Sequence, residues 1–271
     1  MPSQRNDLGE FNVNDSKNTR MEMTESFLRF DLRKDEIMSI GRYMNSANTI
    51  CELAKKLKRP IRVLDIGCGE MNPVRLLYRS ILVKKSDVIE SYTGLDIDYK
   101  MKEHAFNQYG NCYKMCNADI IIKDLTVDPH IDAPDNYYDL VICFEFCEHI
   151  KQEFLPPILE EAHRVLSPEG KALFSTPNSN GSNEKLPKDH VYEYSYEELT
   201  KLFDEAGFTL EESVGVCVNI SRIPKEEKED WEEEIDRIYA AFGRNSAFSS
   251  VAVAPLFSPK YCKNVVYHLS K

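Results

Sequence analysis

The hydrophobic pattern of the amino-terminal part of the chain changes from none to a helical one. Residues 1–20 are polar and without periodicity, which predicts a flexible arm. From Asp35 to Leu57 apolar side chains recur every three or four residues, as in an amphipathic helix, and Pro60 ends the pattern. The sequence therefore predicts an amino-terminal helical extension over residues 35–57.

Short apolar runs then alternate with helical patterns. The runs predict strands at Ile61–Ile66, at Ser91–Leu95, near Asn111–Met115, at Tyr138–Cys143 and at Lys171–Ser175. The patterns between them predict helices from Asn72-Pro73 to Val83 and at about 99–109, 153–166 and 195–206. This alternation requires crossover connections, so it predicts a parallel sheet with helices on both faces.

The order of elements changes after Gly207. Phe208–Ile220 is predicted to be a strand, Pro224–Phe242 a helix and Lys263–Ser270 a final strand. We expect a single domain over residues 21–271, with a core over 60–210 and a helical insertion over 221–262 before the last strand.

Composition narrows the class of protein. The 271 residues are 42% hydrophobic, no apolar run is long enough to span a membrane, and the start of the chain does not resemble a signal peptide, so we expect a soluble, cytoplasmic protein. The eight cysteines form no CxxC pair and are predicted to be free thiols. The net charge of −11 disfavours indiscriminate nucleic-acid binding, although residues 55–85 are locally basic and 225–237 strongly acidic.

Candidate ligand-binding residues stand at the ends of three predicted strands. The segment VLDIGCGEMN leads from a strand into a Gly67-x-Gly69 turn, where absent side chains let a nucleotide approach the backbone. Asn72 replaces the third glycine of a dinucleotide site, which weakens a pyrophosphate interpretation. Asp96 and Asp119 end the next two predicted strands. A tight turn and two helix caps are the alternative explanation for these residues.

Over residues 60–210 the sequence resembles the class I S-adenosylmethionine-dependent methyltransferases. The motifs are VLDIGCGE, YTGLDID, NAD, YYDLVICFEFCEHI, EEAHRVLSPEGKALFSTPN and EYSYEELTKLFDEAGF. The resemblance implies a doubly wound, Rossmann-like α/β fold with a seven-stranded, mostly parallel sheet and an antiparallel last strand. It implies that the cofactor is bound by residues after the first four strands, namely Asp65, Gly67, Cys68 and Gly69 at the methionine part, Asp96 and Ile97 at the ribose, Asp119 and Ile120 at the adenine, and Phe144 beneath the methyl group.

A second group of candidates follows the fourth predicted strand. Glu145, Glu148 and His149 stand there, and His190 is expected to join them. Two carboxylates and two imidazoles can chelate a divalent ion such as Mg²⁺ or Mn²⁺, and Glu145, His149 and His190 can also serve as acid and base for a hydroxyl nucleophile. The pattern is similar to Glu-x-x-Glu-His in ubiquinone-pathway O-methyltransferases and small-RNA 2′-O-methyltransferases, where it serves a metal-assisted reaction. A pocket-shaping role without metal is the favoured alternative.

The resemblance implies methyl transfer from S-adenosylmethionine to an oxygen or nitrogen nucleophile. The acidic insertion favours a small-molecule acceptor over nucleic acid. Three alternatives stay open: a metal-dependent RNA 2′-O-methyltransferase, a non-catalytic S-adenosylmethionine-binding protein, and a nicotinamide-dependent oxidoreductase, which Asn72 and the absence of a Tyr-x-x-x-Lys dyad disfavour.

Overall fold

The computed structural model describes residues 34–74, 88–179, 186–218, 220–243 and 247–271. The strands are β1 (Ile61–Ile66), β2 (Ile89–Asp96), β3 (Ala118–Ile122), β4 (Tyr138–Phe144), β5 (Leu166–Pro177), β6 (Thr209–Gly215) and β7 (Asn264–Ser270). The helices are α1 (Lys34–Leu57), α2 (Tyr99–Met115), α3 (Leu155–Val165), α4 (Tyr196–Glu205), α5 (Lys225–Glu229), α6 (Glu232–Phe242) and α7 (Ala247–Val253). Short 3₁₀ turns follow β4, β6 and α7.

The seven strands form one sheet in the order β3-β2-β1-β4-β5-β7-β6. Neighbouring strands from β3 to β5 are parallel, whereas β7 runs antiparallel to both β5 and β6. The predicted doubly wound fold with an antiparallel last strand is therefore confirmed. The order reverses between β1 and β4, and ligands of such sheets bind at the carboxyl ends of the strands beside this reversal.

Two apolar layers cover the sheet. Every residue of the central strand β4 is buried, with side chains contributing alternately to the two faces. Ala47, Ile50 and Leu53 of α1 pack on one face, which α2 also covers, while α3 and α4 cover the other. The apolar spacing in residues 35–57 thus reflects burial of one side of α1 against the sheet.

Side chains at the helix starts fix where the helices begin. Asp98 accepts hydrogen bonds from the backbone amides of Lys100 and Met101 at the start of α2. Ser195 and Glu198 form a reciprocal capping box at the start of α4, as their spacing suggests. Both caps accept hydrogen bonds from backbone amides that have no acceptor within the helix.

The prediction of a strand near Asn111–Met115 is wrong. Those residues complete α2, and the third strand is Ala118–Ile122. Tertiary packing decides the difference, because Tyr113 and Cys116 are fully buried under the helix-covered face. Asp119 is consequently the second residue of β3 and pairs with Thr93, instead of ending the strand.

The elements after α4 are shorter than predicted. The strand expected over Phe208–Ile220 ends at Gly215. The helix expected over Pro224–Phe242 is interrupted at Asp230 and Trp231, which divides it into α5 and α6. Among the apolar residues that recur at three-and-four spacing in this segment, Ile235 is buried, whereas Trp231 and Phe242 are 38% and 52% exposed.

Some predictions fall outside the described residues. They are the arm over 1–20 and the helix to Val83 beyond its first residues, Asn72 to Val74, which are helical. Within the described part of the chain no helix is long and apolar enough to cross a membrane. The cysteines whose side chains are described are free thiols, as predicted.

Candidate active site

A cavity of about 460 Å³ opens at the carboxyl edge of the sheet, beside the reversal of strand order. Its walls come from the last residues of β2 and from the loops that follow the first four strands. They are Gly67, Leu95, Asp96, Ile97, Lys123, Asp124, Leu125, Thr126, Glu145, Phe146, His149 and Ile150. The fold therefore brings the two groups of sequence candidates, those after β1 and β2 and those after β4, into one site.

The loop after β1 approaches the cavity through its backbone. Gly67 has a φ of +66°, and a β-carbon there would lie 2.7 Å from Cδ2 of Phe146. Any other residue at this position would therefore be strained and would collide with the opposite wall. Cys68 is buried, and a β-carbon at Gly94 would lie 2.5 Å from its Sγ, so this side chain packs under the loop.

Asp65 lies beneath this loop as a buried carboxyl group. The Tyr92 hydroxyl in β2 donates a 2.6 Å hydrogen bond to its Oδ2. Burial raises the pKa of Asp65 to about 7. The hydrogen bond from Tyr92 opposes this rise, because it stabilises the ionised carboxylate. Tyr92 itself is fully buried. Asp65 therefore changes charge near neutral pH, and Tyr92 was not identified from the sequence because nothing in its spacing marks it.

Asp96 connects two loops at the cavity wall. Its Oδ2 accepts a 2.8 Å hydrogen bond from the Gly69 amide, and its Oδ1 accepts a 2.9 Å hydrogen bond from the Asp98 amide. The neighbouring Ile97 also lines the cavity and is 65% exposed. Asp96 thus holds the Gly67–Gly69 turn in place and presents its carboxylate to the cavity.

The structure does not place Asp119 or Ile120 in the cavity wall. Asp119 is exposed and forms a 2.9 Å ion pair with Lys102 of α2, and Ile120 is buried between the sheet and that helix. The reason is the position of β3, which ends three residues after Asp119. Asp124 and Leu125 follow that end and line the cavity instead.

Asp124 is the acidic residue that the third strand delivers to the site. The Thr126 side-chain hydroxyl and backbone amide donate hydrogen bonds of 2.7 and 2.9 Å to its Oδ1. The hydroxyl above all, and then the amide, lower the pKa of Asp124, so the group stays ionised. Asp124 was not predicted from the sequence, although an apolar run, Ile120–Ile122, precedes it and is typical of a strand that ends there.

Phe144 and Glu145 mark the end of β4. The Phe144 ring is buried with its centroid 6.3 Å from that of Tyr43 in α1. Glu145 has a φ of +52°, which turns its side chain out of the strand direction. Its carboxylate accepts hydrogen bonds from Ser175 and Asn264 and lies 3.5 Å from Nη2 of the buried Arg42. Glu145 is therefore a cavity wall residue whose charge is already compensated.

Glu148, His149 and His190 come together as predicted, and the structure does not include Glu145 in this group. One ligand atom from each of the three side chains lies within 4.8 Å of the other two. Thr176 Oγ1 donates a 3.0 Å hydrogen bond to Glu148 Oε2, and Glu148 is almost fully buried. Burial, with the nearby charge of Glu145, raises the pKa of Glu148 to about 8. This carboxyl group therefore needs a proton or a cation nearby.

The hydrogen bonds of the two histidines fix their tautomers. His149 Nδ1 is 2.9 Å from the Asp189 carbonyl oxygen, and His190 Nδ1 is 2.7 Å from Glu193 Oε1. Because both oxygens accept hydrogen bonds, Nδ1 carries the proton in the neutral form of each imidazole, and the lone pair of that form is on Nε2. Such a pair of Nε2 atoms beside a carboxylate suits either a divalent metal ion or proton transfer.

The strand order and the position of the cavity are those of the Rossmann-like class of α/β folds. The sequence matches the methyltransferase domain family over residues 42–213, which is more than half of the chain. The chain therefore belongs to the class I S-adenosylmethionine-dependent methyltransferase family, and the resemblance seen in its motifs is confirmed.

Two individual relatives share 33% sequence identity or less with this chain over part of its length. A probable S-adenosylmethionine-dependent methyltransferase of Mycolicibacterium smegmatis is 33% identical over 158 residues, which are 57% of this chain and 54% of that protein. A ubiquinone biosynthesis O-methyltransferase of Pectobacterium atrosepticum is 28% identical over 123 residues, 44% of each chain. This chain thus spans about half the length of the curated relatives it matches.

The fold comparison gives the same class. The crystal structure of a SAM-dependent methyltransferase from Archaeoglobus fulgidus has a TM-score of 0.54 and 19% sequence identity, covering 93% of this chain and 99% of that one. At this level of identity the likeness concerns the fold.

Proposed function

We propose that this protein transfers the methyl group of S-adenosylmethionine to an oxygen or nitrogen atom of a small-molecule acceptor. The observation that carries the proposal is the cavity at the strand-order reversal, in a chain of the methyltransferase family. The same cavity is bounded by Asp96 and Asp124 on one side and by Glu145 and His149 on the other. Cofactor and acceptor would therefore meet between β1 and β4.

Three carboxylates would each bind a different part of the cofactor. Asp96 would accept hydrogen bonds from the ribose hydroxyls, and Asp124 would accept one from the adenine amino group. The methionine part would lie over the Gly67–Gly69 turn, where the ionised form of Asp65 attracts its ammonium group. Asp124 takes the adenine role that the sequence suggested for Asp119, because only Asp124 lines the cavity.

Methyl transfer requires the protein to position the reacting atoms more than to activate the methyl group. The sulfonium already activates the methyl group, so the protein mainly holds nucleophile, carbon and sulfur in line. His149 is exposed at the cavity with its Nδ1 proton donated to Asp189. Its Nε2 can therefore take the proton of an acceptor hydroxyl, while Glu193 holds His190 for the same purpose.

Metal-assisted O-methylation is the second candidate. The grouping of Glu148, His149 and His190 within 4.8 Å favours it, because a carboxylate and two imidazoles are ligand types that divalent metal ions accept. A bound divalent ion would lower the pKa of an acceptor hydroxyl. Glu148 and the two Nε2 atoms would hold that ion. Asp189 and Glu193 would orient the imidazoles through their hydrogen bonds to Nδ1.

Charge supports a small acceptor over RNA. The chain has a net charge of −11, and eight of the thirteen residues at 225–237 are acidic. These residues follow β6 at the carboxyl edge of the sheet, the edge on which the cavity opens. A long phosphate chain would be repelled there.

The first test measures cofactor binding and methyl transfer separately. Calorimetry should show micromolar binding of S-adenosylhomocysteine. Tritiated S-adenosylmethionine, incubated with a small-metabolite fraction and separately with RNA, should label the small-metabolite fraction. Binding without labelling in any fraction would support the non-catalytic alternative, labelled RNA would reverse the acceptor class, and tight NADH binding without S-adenosylhomocysteine binding would contradict the proposal.

The second test separates a metal from a metal-free base. Mn²⁺ binding, followed by electron paramagnetic resonance, should weaken at least about tenfold in His190→Ala, because a ligand is lost. It should stay unchanged in His104→Ala, a control on α2 whose Nε2 pairs with Glu70 at 3.1 Å. Chelator-resistant methyl transfer that follows one ionisation, absent in His149→Ala, would instead identify a base without metal.

A further inference from the structure

A half-buried arginine of the insertion is not paired with any carboxylate of the described residues. Arg222 ends the 3₁₀ turn Ile220–Arg222, and its Nη1 donates a 3.1 Å hydrogen bond to the carbonyl oxygen of Asn178. Its Nε is buried and has no hydrogen-bond partner among the residues that the structure describes. Burial lowers the pKa of Arg222, although the charge of Glu193 opposes this effect. A guanidinium in such surroundings is costly unless a ligand compensates its charge.

Another arginine of the same chain shows what this free edge can bind. Arg164 donates from Nε to Glu161 Oε1 at 2.7 Å and from Nη2 to Glu161 Oε2 at 2.8 Å. In Arg222 the backbone contact uses Nη1, so the same Nε–Nη2 edge is left without a hydrogen-bond acceptor among the described residues. The two parallel donors of this edge match the two oxygens of a carboxylate.

Backbone contacts connect Arg222 to the proposed site of methyl transfer. Asn178 directly follows β5, and the amide of the next residue, Ser179, donates to the Tyr194 carbonyl oxygen. The segment 190–194 thus lies between Asn178 and Glu148, whose carbonyl oxygen accepts from the Val191 amide. Glu193 of this segment holds His190. Arg222 is therefore linked through Asn178 to the segment that carries His190, and the charge of Glu193 reaches it.

Asn178 adds a second buried polar atom that no described residue satisfies. Its Nδ2 donates to the carbonyl oxygens of Lys260 and Cys262, which fixes the orientation of the amide. Its Oδ1 is buried and accepts no hydrogen bond from the described part of the chain. Buried polar atoms of this kind are uncommon in folded proteins and call for a ligand or a water molecule.

We infer that Arg222, supported by Asn178, binds the carboxylate of a small anionic acceptor. The inference deepens the proposed function and rests on it for the role of the bound molecule. A singly charged carboxylate is favoured over a phosphate, because Glu193 and the acidic residues 225–237 repel a doubly charged group.

The test uses simple probes on the full chain saturated with S-adenosylhomocysteine, which fills the cofactor cavity. Benzoate, benzamide and phenyl phosphate are titrated by NMR into the wild type, Arg222→Gln, Arg222→Lys and Arg237→Gln. Arg237 is the control, an exposed arginine of the same insertion that pairs with Glu233 at 3.3 Å. Benzoate should bind the wild type and Arg237→Gln with equal affinity. It should bind Arg222→Gln and Arg222→Lys at least about tenfold more weakly, because the bidentate contact is lost.

Three outcomes would overturn the inference: equal binding of benzoate and benzamide to the wild type, unchanged benzoate binding in Arg222→Gln, or tighter binding of phenyl phosphate than of benzoate. The comparison of ligands on the wild type decides the question even if a variant does not fold. Failure of S-adenosylhomocysteine to bind would contradict the proposed function instead, and the benzoate comparison repeated without it would still decide the Arg222 site. A melting temperature of Arg222→Gln several degrees below that of the wild type would indicate a structural role for Arg222.

Discussion

Removing the hydroxyl of Tyr92 tests how the protein controls the charge beneath the cofactor. Tyr92→Phe keeps the buried ring and deletes only the 2.6 Å hydrogen bond to Asp65. That hydrogen bond stabilises the ionised carboxylate, whereas burial disfavours it and raises the pKa of Asp65 to about 7. The variant should therefore raise the pKa of Asp65 further and weaken cofactor binding near neutral pH.

The size of the effect follows from these quantities. A hydrogen bond to a charged group contributes roughly 1.5–3 kcal/mol, which corresponds to a pKa rise of roughly 1–2 units. At pH 7 the ionised fraction of Asp65 would fall from about one half to between about one tenth and one hundredth. If the cofactor ammonium needs the ionised form, the affinity for S-adenosylhomocysteine should fall about five- to fiftyfold at pH 7 and less at pH 8.5.

Calorimetry of S-adenosylhomocysteine binding from pH 5.5 to 8.5 measures this shift. The wild-type affinity should rise with a midpoint near pH 7, and the midpoint should move upward in Tyr92→Phe. Asp65→Asn should abolish this ionisation. Tyr267→Phe, which removes a buried hydroxyl from β7, a strand not paired with β1, should behave as the wild type. Identical pH profiles for Tyr92→Phe and the wild type would refute the reasoning.

Two further predictions concern the cofactor loop and the insertion. Asp96→Ala should weaken S-adenosylhomocysteine binding about ten- to hundredfold, because both loop amides and the ribose lose their hydrogen-bond acceptor. Asp119→Ala, the control, should change the affinity less than about twofold. Equal losses of affinity in calorimetry would mean that Asp119 also contacts the cofactor. Replacing residues 224–243 by a short Gly-Ser connection should leave cofactor affinity nearly unchanged and raise the Michaelis constant for the acceptor. Unchanged kinetics in that folded deletion would show that α5 and α6 do not contact the acceptor.

The fold was predictable where local and tertiary preferences agree. The apolar spacing of α1, the buried run of β4 and the capping box of α4 each stabilise the same local structure that packing selects. Residues 111–115 show the opposite case. Their aromatic and apolar content suits a strand, but α2 buries Tyr113 on the face of the sheet and continues to Met115. The error moved the third strand by several residues.

The site was predictable only where a residue type and a strand end coincide. Gly67 and Asp96 follow correctly placed strands, so they reach the cavity. Asp119 was assigned from a misplaced strand end, and Asp124 was missed for the same reason. Arg42 and Asn264 were missed because they come from α1 and β7, which no local spacing connects to Glu145. Long-range contacts of this kind need the sheet order.

The two glutamates of the Glu-x-x-Glu-His segment look equivalent in the sequence and differ in the structure. Glu145 accepts hydrogen bonds from Ser175 and Asn264 and pairs with Arg42, so its negative charge is stabilised. The Glu148 carboxylate accepts hydrogen bonds from Thr176 and from its own backbone amide, yet burial still raises its pKa to about 8. Its folded-state pKa lies above the unfolded value, so its contribution to stability is present at low pH and is lost as the pH rises through about 8.

Neutral substitutions at these two positions should therefore change stability in opposite directions at pH 9 without added metal. Glu148→Gln removes an uncompensated buried charge and should raise the free energy of unfolding, with a smaller gain at pH 6, where the wild-type carboxyl is protonated. Glu145→Gln leaves the buried Arg42 without its partner and should lower that free energy by about 1–3 kcal/mol at either pH. Urea unfolding at both pH values measures the difference. Destabilisation by both variants at pH 9 would mean that Glu148 is already compensated, by contacts that hold its charge as firmly as Arg42 and Asn264 hold that of Glu145.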